Sequence, residues 1–171
     1  MDPILIAFSF SRWITFVAKE ELFYSLFLRL WLRWAGSLSL QRNGRVREKQ
    51  RILESAKKAL EEGSILGMFP EGGRSHDGRL RKGKPGSAVI ASKTGAPLLP
   101  VGVIGTDKVH GISWLWKRPP IVVKIGKPFK LPPTSGSMSK SQMQSLTTQL
   151  MREIAALLPP EYQGAYEKRE D

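Results

Sequence analysis

The chain contains no cysteine, and that one absence removes a disulfide framework, a thiolate metal site and a cysteine nucleophile. It has only two histidines, His76 and His110, too far apart in sequence to make a local metal site. No apolar run reaches the ~18 residues needed to span a bilayer. Acidic residues are scarce: 15 Asp and Glu stand against 27 Lys and Arg, a formal net charge of +12. Such a balance favours anionic partners, whether phosphates, nucleic acid or a lipid surface. What is present suffices for a core, since 41% of the 171 residues are hydrophobic and 25% charged, which excludes global disorder. A chain within the range of about 100–200 residues per domain is expected to form one domain.

Met1-Asp2-Pro3 runs directly into an apolar stretch, Ile4 to Phe10, with no polar lead-in and no charged targeting segment. Asp followed by Pro is the pattern of a helix cap and first turn, so a helix is expected within two residues of Met1. Domains seldom open on a cap, and the opening is read as lacking something upstream. A strand is expected over Trp13 to Ala18. From Leu22 to Trp34 the chain is almost wholly apolar, with Glu21, Ser25, Arg29 and Arg33 recurring every four residues. A helix here carries one narrow polar stripe, and suits either core packing or a membrane interface.

A short strand is expected over Gly36 to Leu40, ending in the turn signal Gln41-Arg42-Asn43-Gly44. Residues 46–62 predict a helix with Ile52, Leu53, Ala56, Ala59 and Leu60 on one side and Gly63 as its stop. Ser64 to Phe69 reads as a buried strand, and Ser87 to Thr94 as a helix stopped by Gly95. Leu98 to Ile104 and Ile121 to Ile125 read as strands. Residues 139–158 carry a last amphipathic pattern. Alternating helices and strands predict an α/β fold, a single-domain mixed sheet flanked by helices.

The stretch richest in chemistry is Phe69-Pro70-Glu71-Gly72-Gly73-Arg74-Ser75-His76-Asp77-Gly78, where a strand surfaces into a loop. Two consecutive glycines let backbone amides approach an anion, and Arg74 supplies a planar fork for phosphate. Arg74, Arg79, Arg81, Lys82 and Lys84 face one acid, Asp77. Charge alone would equally describe a solvated loop. Glu71 argues further, because a carboxylate is unhelpful in a simple anion trap but useful for bracing an arginine or binding a hydroxyl. The spacing Gly78 to Gly83-Lys84 mimics a nucleotide-binding P-loop. Pro85 stands where that loop needs a Ser or Thr, and no strand leads directly into Gly78.

Phe69-Pro70-Glu71-Gly72-Gly73-Arg74-Ser75 resembles the third motif of the glycerolipid acyltransferase family, F-P-E-G-T-R-S, with Gly73 in place of the threonine. Gly36 to Arg42 resembles the second motif, a glycine and an arginine six residues apart. Ala96-Pro97-Leu98-Leu99-Pro100-Val101 resembles the fourth, and Gly83-Lys84-Pro85-Gly86 the segment between the third and fourth. The likeness runs in order from Asp2 to about Phe129. The resemblance implies a glycerol-3-phosphate acyltransferase-like fold and transfer of a fatty acyl group to the hydroxyl of 1-acyl-sn-glycerol-3-phosphate, giving phosphatidic acid. The family's first motif, N-H-x-x-x-x-D, uses the histidine as general base and the aspartate to orient it. That aspartate aligns with Asp2, which places the histidine upstream of Met1. Neither His76 nor His110 has an aspartate five residues later.

By the same resemblance Arg42, Glu71, Gly72, Arg74, Ser75 and Lys84 bind the acceptor's phosphate and glycerol. No metal or prosthetic group is implied, and acyl-CoA or acyl-carrier protein acts as co-substrate. The implied partners are lysophosphatidic acid, the acyl donor and an anionic membrane surface, with the protein peripheral on its cytoplasmic face. The alternative is a truncated, catalytically inactive lipid-binding remnant of the family. A nucleic-acid binder is disfavoured, since no such motif occurs and the aromatics cluster in apolar segments.

Overall fold

Helices and strands alternate in the computed structural model, which describes residues 2–10, 14–19, 38–40, 46–73, 75, 77–108 and 120–167. The expected helix over Leu22 to Trp34 and the turn at residues 41–44 lie outside the described residues, as do Arg42, Arg74, His76 and His110. By its contacts the chain divides into two compact units, one of residues 7–69 and one of residues 1–6 with 70–171. The fold is α/β, as expected. Among the described residues the strands form two small sheets, one parallel and one antiparallel.

The first unit is built on three parallel strands, β1 (Ile14–Lys19), β2 (Leu38–Leu40) and β3 (Ile65–Met68), in the order β2-β1-β3. Parallel neighbours need a crossover. Helix α2 (Val46–Glu61) carries the chain from β2 past β1 to β3, and it packs against both β2 and β3. Ala56 is fully buried on the inner face of α2, flanked by half-buried Ile52, Leu53, Ala59 and Leu60. The helix stops where Gly63 turns to φ 81°: its N–H donates to the Leu60 carbonyl and that of Ser64 to the Ala59 carbonyl. This double closure satisfies carbonyls that the helix leaves unpaired. Along the sheet Phe16 pairs with Gly67, and a Cβ there would lie 2.6 Å from the Phe16 ring. Phe16, freed of a cross-strand side chain, stacks on Phe69 with centroids 6.2 Å apart. β3 is only half-buried throughout, less than the apolar run suggested.

The helix at the start of the chain, α1, spans Asp2–Phe8. After Pro70 the second unit contains α3 (Gly86–Thr94), β4 (Val101–Ile104), a 3-10 turn (Thr106–Lys108), β5 (Val122–Ile125) and α4 (Lys140–Ala155). Strands β4 and β5 pair antiparallel, extended by a bridge between Leu98 and Phe129. Ala88 and Ala91 of α3 pack on Leu131 and on Leu146 and Leu150 of α4. The small side chains of α3 allow the close approach. One of them, Ser92, is buried and hydrogen-bonds the Pro132 carbonyl at 2.6 Å, with Thr134 Oγ1 also 2.6 Å away.

Helix α4 opens on a reciprocal cap: Ser139 Oγ accepts the Gln142 N–H at 3.2 Å, and Gln142 Oε1 accepts the Ser139 N–H at 2.9 Å. Ser139→Ala is expected to cost about 1 kcal/mol, measured by chemical denaturation. The helix ends at Ala155, three residues before the amphipathic pattern does. Pro159 disfavours helical backbone at Leu158, and Leu157 and Leu158 close tight turns onto Ile154 and Ala155. A short helix α5 (Pro160–Gln163) and a 3-10 turn (Gly164–Tyr166) follow. The sequence reading had no element there.

Candidate functional site

The loop from Pro70 to Pro85 doubles back on itself, and both backbone and side-chain hydrogen bonds join its two limbs. The Lys84 N–H donates to the Pro70 carbonyl at 2.7 Å, and the Arg81 N–H donates to Glu71 Oε2 at 2.9 Å. Glu71 thus accepts a main-chain N–H across the loop, whereas the arginine its position suggested as a partner, Arg74, lies outside the described residues. Gly72 has φ +63°, and a Cβ on it would lie 2.7 Å from Lys84 Cδ and 3.1 Å from Nζ. The lysine stem lies against the bare glycine, which holds the ammonium beside the Gly72 backbone. At Gly73 the corresponding point is 3.3 Å from Arg81 Nη1. The glycine that replaces the motif's threonine thus has a guanidinium where the hydroxyl side chain would stand.

Between the limbs, Ser75 and Asp77 shape the turn. Ser75 Oγ lies 2.7 Å from Asp77 Oδ1 and 2.8 Å from the Arg79 carbonyl, two acceptors for one proton. The same Asp77 oxygen accepts the Arg79 N–H at 3.1 Å. The Ser75 hydroxyl, and then the Arg79 N–H, hold the Asp77 carboxyl below the ordinary carboxylate range. Asp77 is a fixed anion of the turn at neutral pH, not a proton carrier. Ser75, expected among the substrate ligands, has its proton engaged inside the turn.

Of the residues expected at the site, the structure brings Glu71, Gly72 and Lys84 together around exposed Arg79, Arg81 and Lys82. Asp2 is the first residue of α1, and residues 1–6 belong to the same compact unit as the loop although 7–69 form the other. Such a loop can hold a phosphate by charge and by hydrogen bonds from cationic side chains. Among the described residues no group of His, Asp and Glu could hold a metal ion. No described helix is long and apolar enough to cross a membrane.

Sequence reasoning missed the support beneath the loop. Leu80 is buried against Met151 and Ala155 of α4, with Leu158 and Tyr166 beside them. A Cβ on Gly83 would lie 2.6 Å from Met151 Cγ. The Gly83 N–H donates to Tyr166 Oη at 2.9 Å. More than eighty residues separate these partners, so no local motif announces them. The available signal was Pro159-Pro160-Glu161, a helix start just past the end of an amphipathic pattern.

With this geometry in hand, the comparison with known proteins is direct. The profile of the family described as Acyltransferase matches residues 1–104, more than half of the chain. The chain belongs to the acyltransferase family. It is similar to a 1-acyl-sn-glycerol-3-phosphate acyltransferase of Borreliella burgdorferi, 33% identical over 107 residues, 63% of this chain and 42% of that one. It is also similar to one of Cocos nucifera, 34% identical over 118 residues, 68% of this chain and 38% of that one. Among solved structures it resembles the 1-acyl-sn-glycerophosphate (LPA) acyltransferase PlsC of Thermotoga maritima. That likeness has a TM-score of 0.58 at 26% identity and covers 90% of this chain and 59% of that one. The chain thus spans less than half the length of these two curated relatives. Asp2 and the Pro70–Pro85 loop fall inside the acyltransferase match, whereas α4 and the residues after it lie beyond.

Proposed function

We propose that this acyltransferase moves a fatty acyl group from acyl-CoA or acyl-carrier protein to the free hydroxyl of 1-acyl-sn-glycerol-3-phosphate, as a step in making phosphatidic acid. The observation that carries the reading is the braced loop, in which Glu71 closes the two limbs and Lys84 lies against Gly72. It stands at the motif where the family resemblance puts the acceptor's phosphate. The resemblance adds Arg42 and Arg74 to the acceptor-binding residues, and Gly72 contributes a backbone that an anion can approach closely. The two compact units are taken as parts of one acyltransferase domain.

The hydroxyl is a poor nucleophile until a base removes its proton. Its oxygen then attacks the thioester carbonyl carbon, the carbon–sulfur bond breaks, and the thiolate takes the proton back from the base. In the resemblance the base is an imidazole five residues before Asp2, and Asp2 fixes its tautomer. Five residues of regular helix turn the chain by about 500°, so such a pair needs a bend between its members. No metal or prosthetic group is required. The excess of positive charge suits a peripheral protein at an anionic membrane, on the cytoplasmic face where the soluble donors are.

The alternative reading is a lipid-binding member of the family without catalysis. Binding and turnover separate the two. The protein is expected to bind micelles containing lysophosphatidic acid in preference to lysophosphatidylcholine, and the acyltransferase reading is abandoned if it does not. Coenzyme A release can be followed with a thiol reagent against no background from the chain, which has no cysteine. Selective binding with no thiol release from the full-length protein would establish the second reading.

A further inference from the structure

The limb Leu80 to Lys84 lies between two sets of hydrogen-bond partners. On one side Arg81 and Lys84 donate their N–H groups to Glu71 and Pro70 of the loop itself. On the other, Leu80 and Gly83 are held by the chain end. The Leu80 N–H donates to the Tyr162 carbonyl at 2.9 Å, its carbonyl accepts the Ala165 N–H at 3.1 Å, and Gly83 N–H reaches Tyr166 Oη. The crossing is close: a Cβ on Gly164, where φ is +52°, would lie 2.4 Å from the Leu80 carbonyl oxygen. Tyr162 Oη also donates to Asp107 Oδ1 at 3.2 Å, and Asp107 in turn lies against Gly78, 3.1 Å from where a Cβ would stand. Burial, and then the charge of Asp107, push the Tyr162 hydroxyl above its ordinary range, so it stays a donor at neutral pH.

We propose that the segment Pro160–Tyr166 is a strap that sets the position of the loop's cations, with Tyr166 and Tyr162 as positioning residues for the acceptor's phosphate. The proposal rests on the acceptor-binding reading above. It follows from the order along the limb: Leu80 and Gly83 are fixed by the strap, and the side chains of the residues directly after them, Arg81 and Lys84, stand at Gly73 and Gly72. Losing the Tyr166 hydroxyl releases Gly83, the residue directly before Lys84.

The test compares wild type with Tyr166→Phe in the full-length protein, reading hydrogen exchange at the Gly83 amide and the dissociation constant for lysophosphatidic acid in micelles. Tyr166→Phe should speed Gly83 exchange and raise that constant about threefold to tenfold, the weight of one hydrogen bond passed on to the site. Gly164→Ala should act in the same direction. If Gly83 exchange rises while lysophosphatidic acid binds as in wild type, the strap is only structural and the proposal falls. It falls equally if neither quantity moves. Wild type that shows no preference for lysophosphatidic acid over lysophosphatidylcholine would overturn the acceptor reading itself, a result visible before any variant is made.

Discussion

Asp2→Asn in the full-length protein is expected to lower turnover about 10⁴-fold while lysophosphatidic acid binds as before, because the wrong imidazole tautomer cannot accept the hydroxyl proton. A carboxylate accepts the hydrogen of the far ring nitrogen and leaves the near nitrogen's lone pair toward the substrate. An amide can donate instead, and so stabilises the opposite arrangement. Asparagine is the informative choice because Asp2 also opens α1, with Pro3 following. Asparagine keeps the size and polarity of the aspartate in the first turn of the helix, whereas alanine would remove both and confound folding with chemistry. Turnover within tenfold of wild type, at unchanged thermal stability, would remove Asp2 from the mechanism. It would leave it a first-turn residue of α1.

Local signals in the sequence located most elements that local physics determines. Ile52, Ala56 and Leu60 recur at helical spacing and face inward on α2, and Gly63 and Gly95 stop their helices in left-handed conformations, as glycine after a helix does. Boundaries failed where a proline acts across the end of a pattern. Leu157 and Leu158 continue the apolar spacing, but Pro159 and Pro160 end α4 at Ala155. The site was legible as a set of residue types and not as an arrangement. The spacing of Glu71 points to Arg74 three residues on, yet the described partner of its carboxylate is the Arg81 backbone, ten residues on and invisible to side-chain spacing. Tyr166 and Gly164 left no trace at the loop they hold. Contacts between distant segments depend on tertiary packing that a single sequence does not display. Asp2 is placed by resemblance to a motif, and the structure adds that residues 1–6 share a compact unit with the loop.

Removing the guanidinium at Arg74 should weaken lysophosphatidic acid binding by about 10- to 150-fold, the worth of a charge-assisted hydrogen bond of about 1.5–3 kcal/mol. Arg74→Lys should recover only a minor part. A planar fork can meet two phosphate oxygens at once, and an ammonium of the same charge meets them singly. The loop already holds a point charge in Lys84, whose stem lies against Gly72 and whose backbone is tied to Pro70. A second ammonium would add charge without the bidentate geometry. The comparison separates recognition from simple attraction, since a surface that only collects anions would treat lysine and arginine alike. Raising the salt concentration sharpens it: screening weakens attraction at exposed charges more than paired hydrogen bonds at short range. Lysophosphatidic acid affinity equal in wild type, Arg74→Lys and Arg74→Ala would mean that this loop does not grip the phosphate.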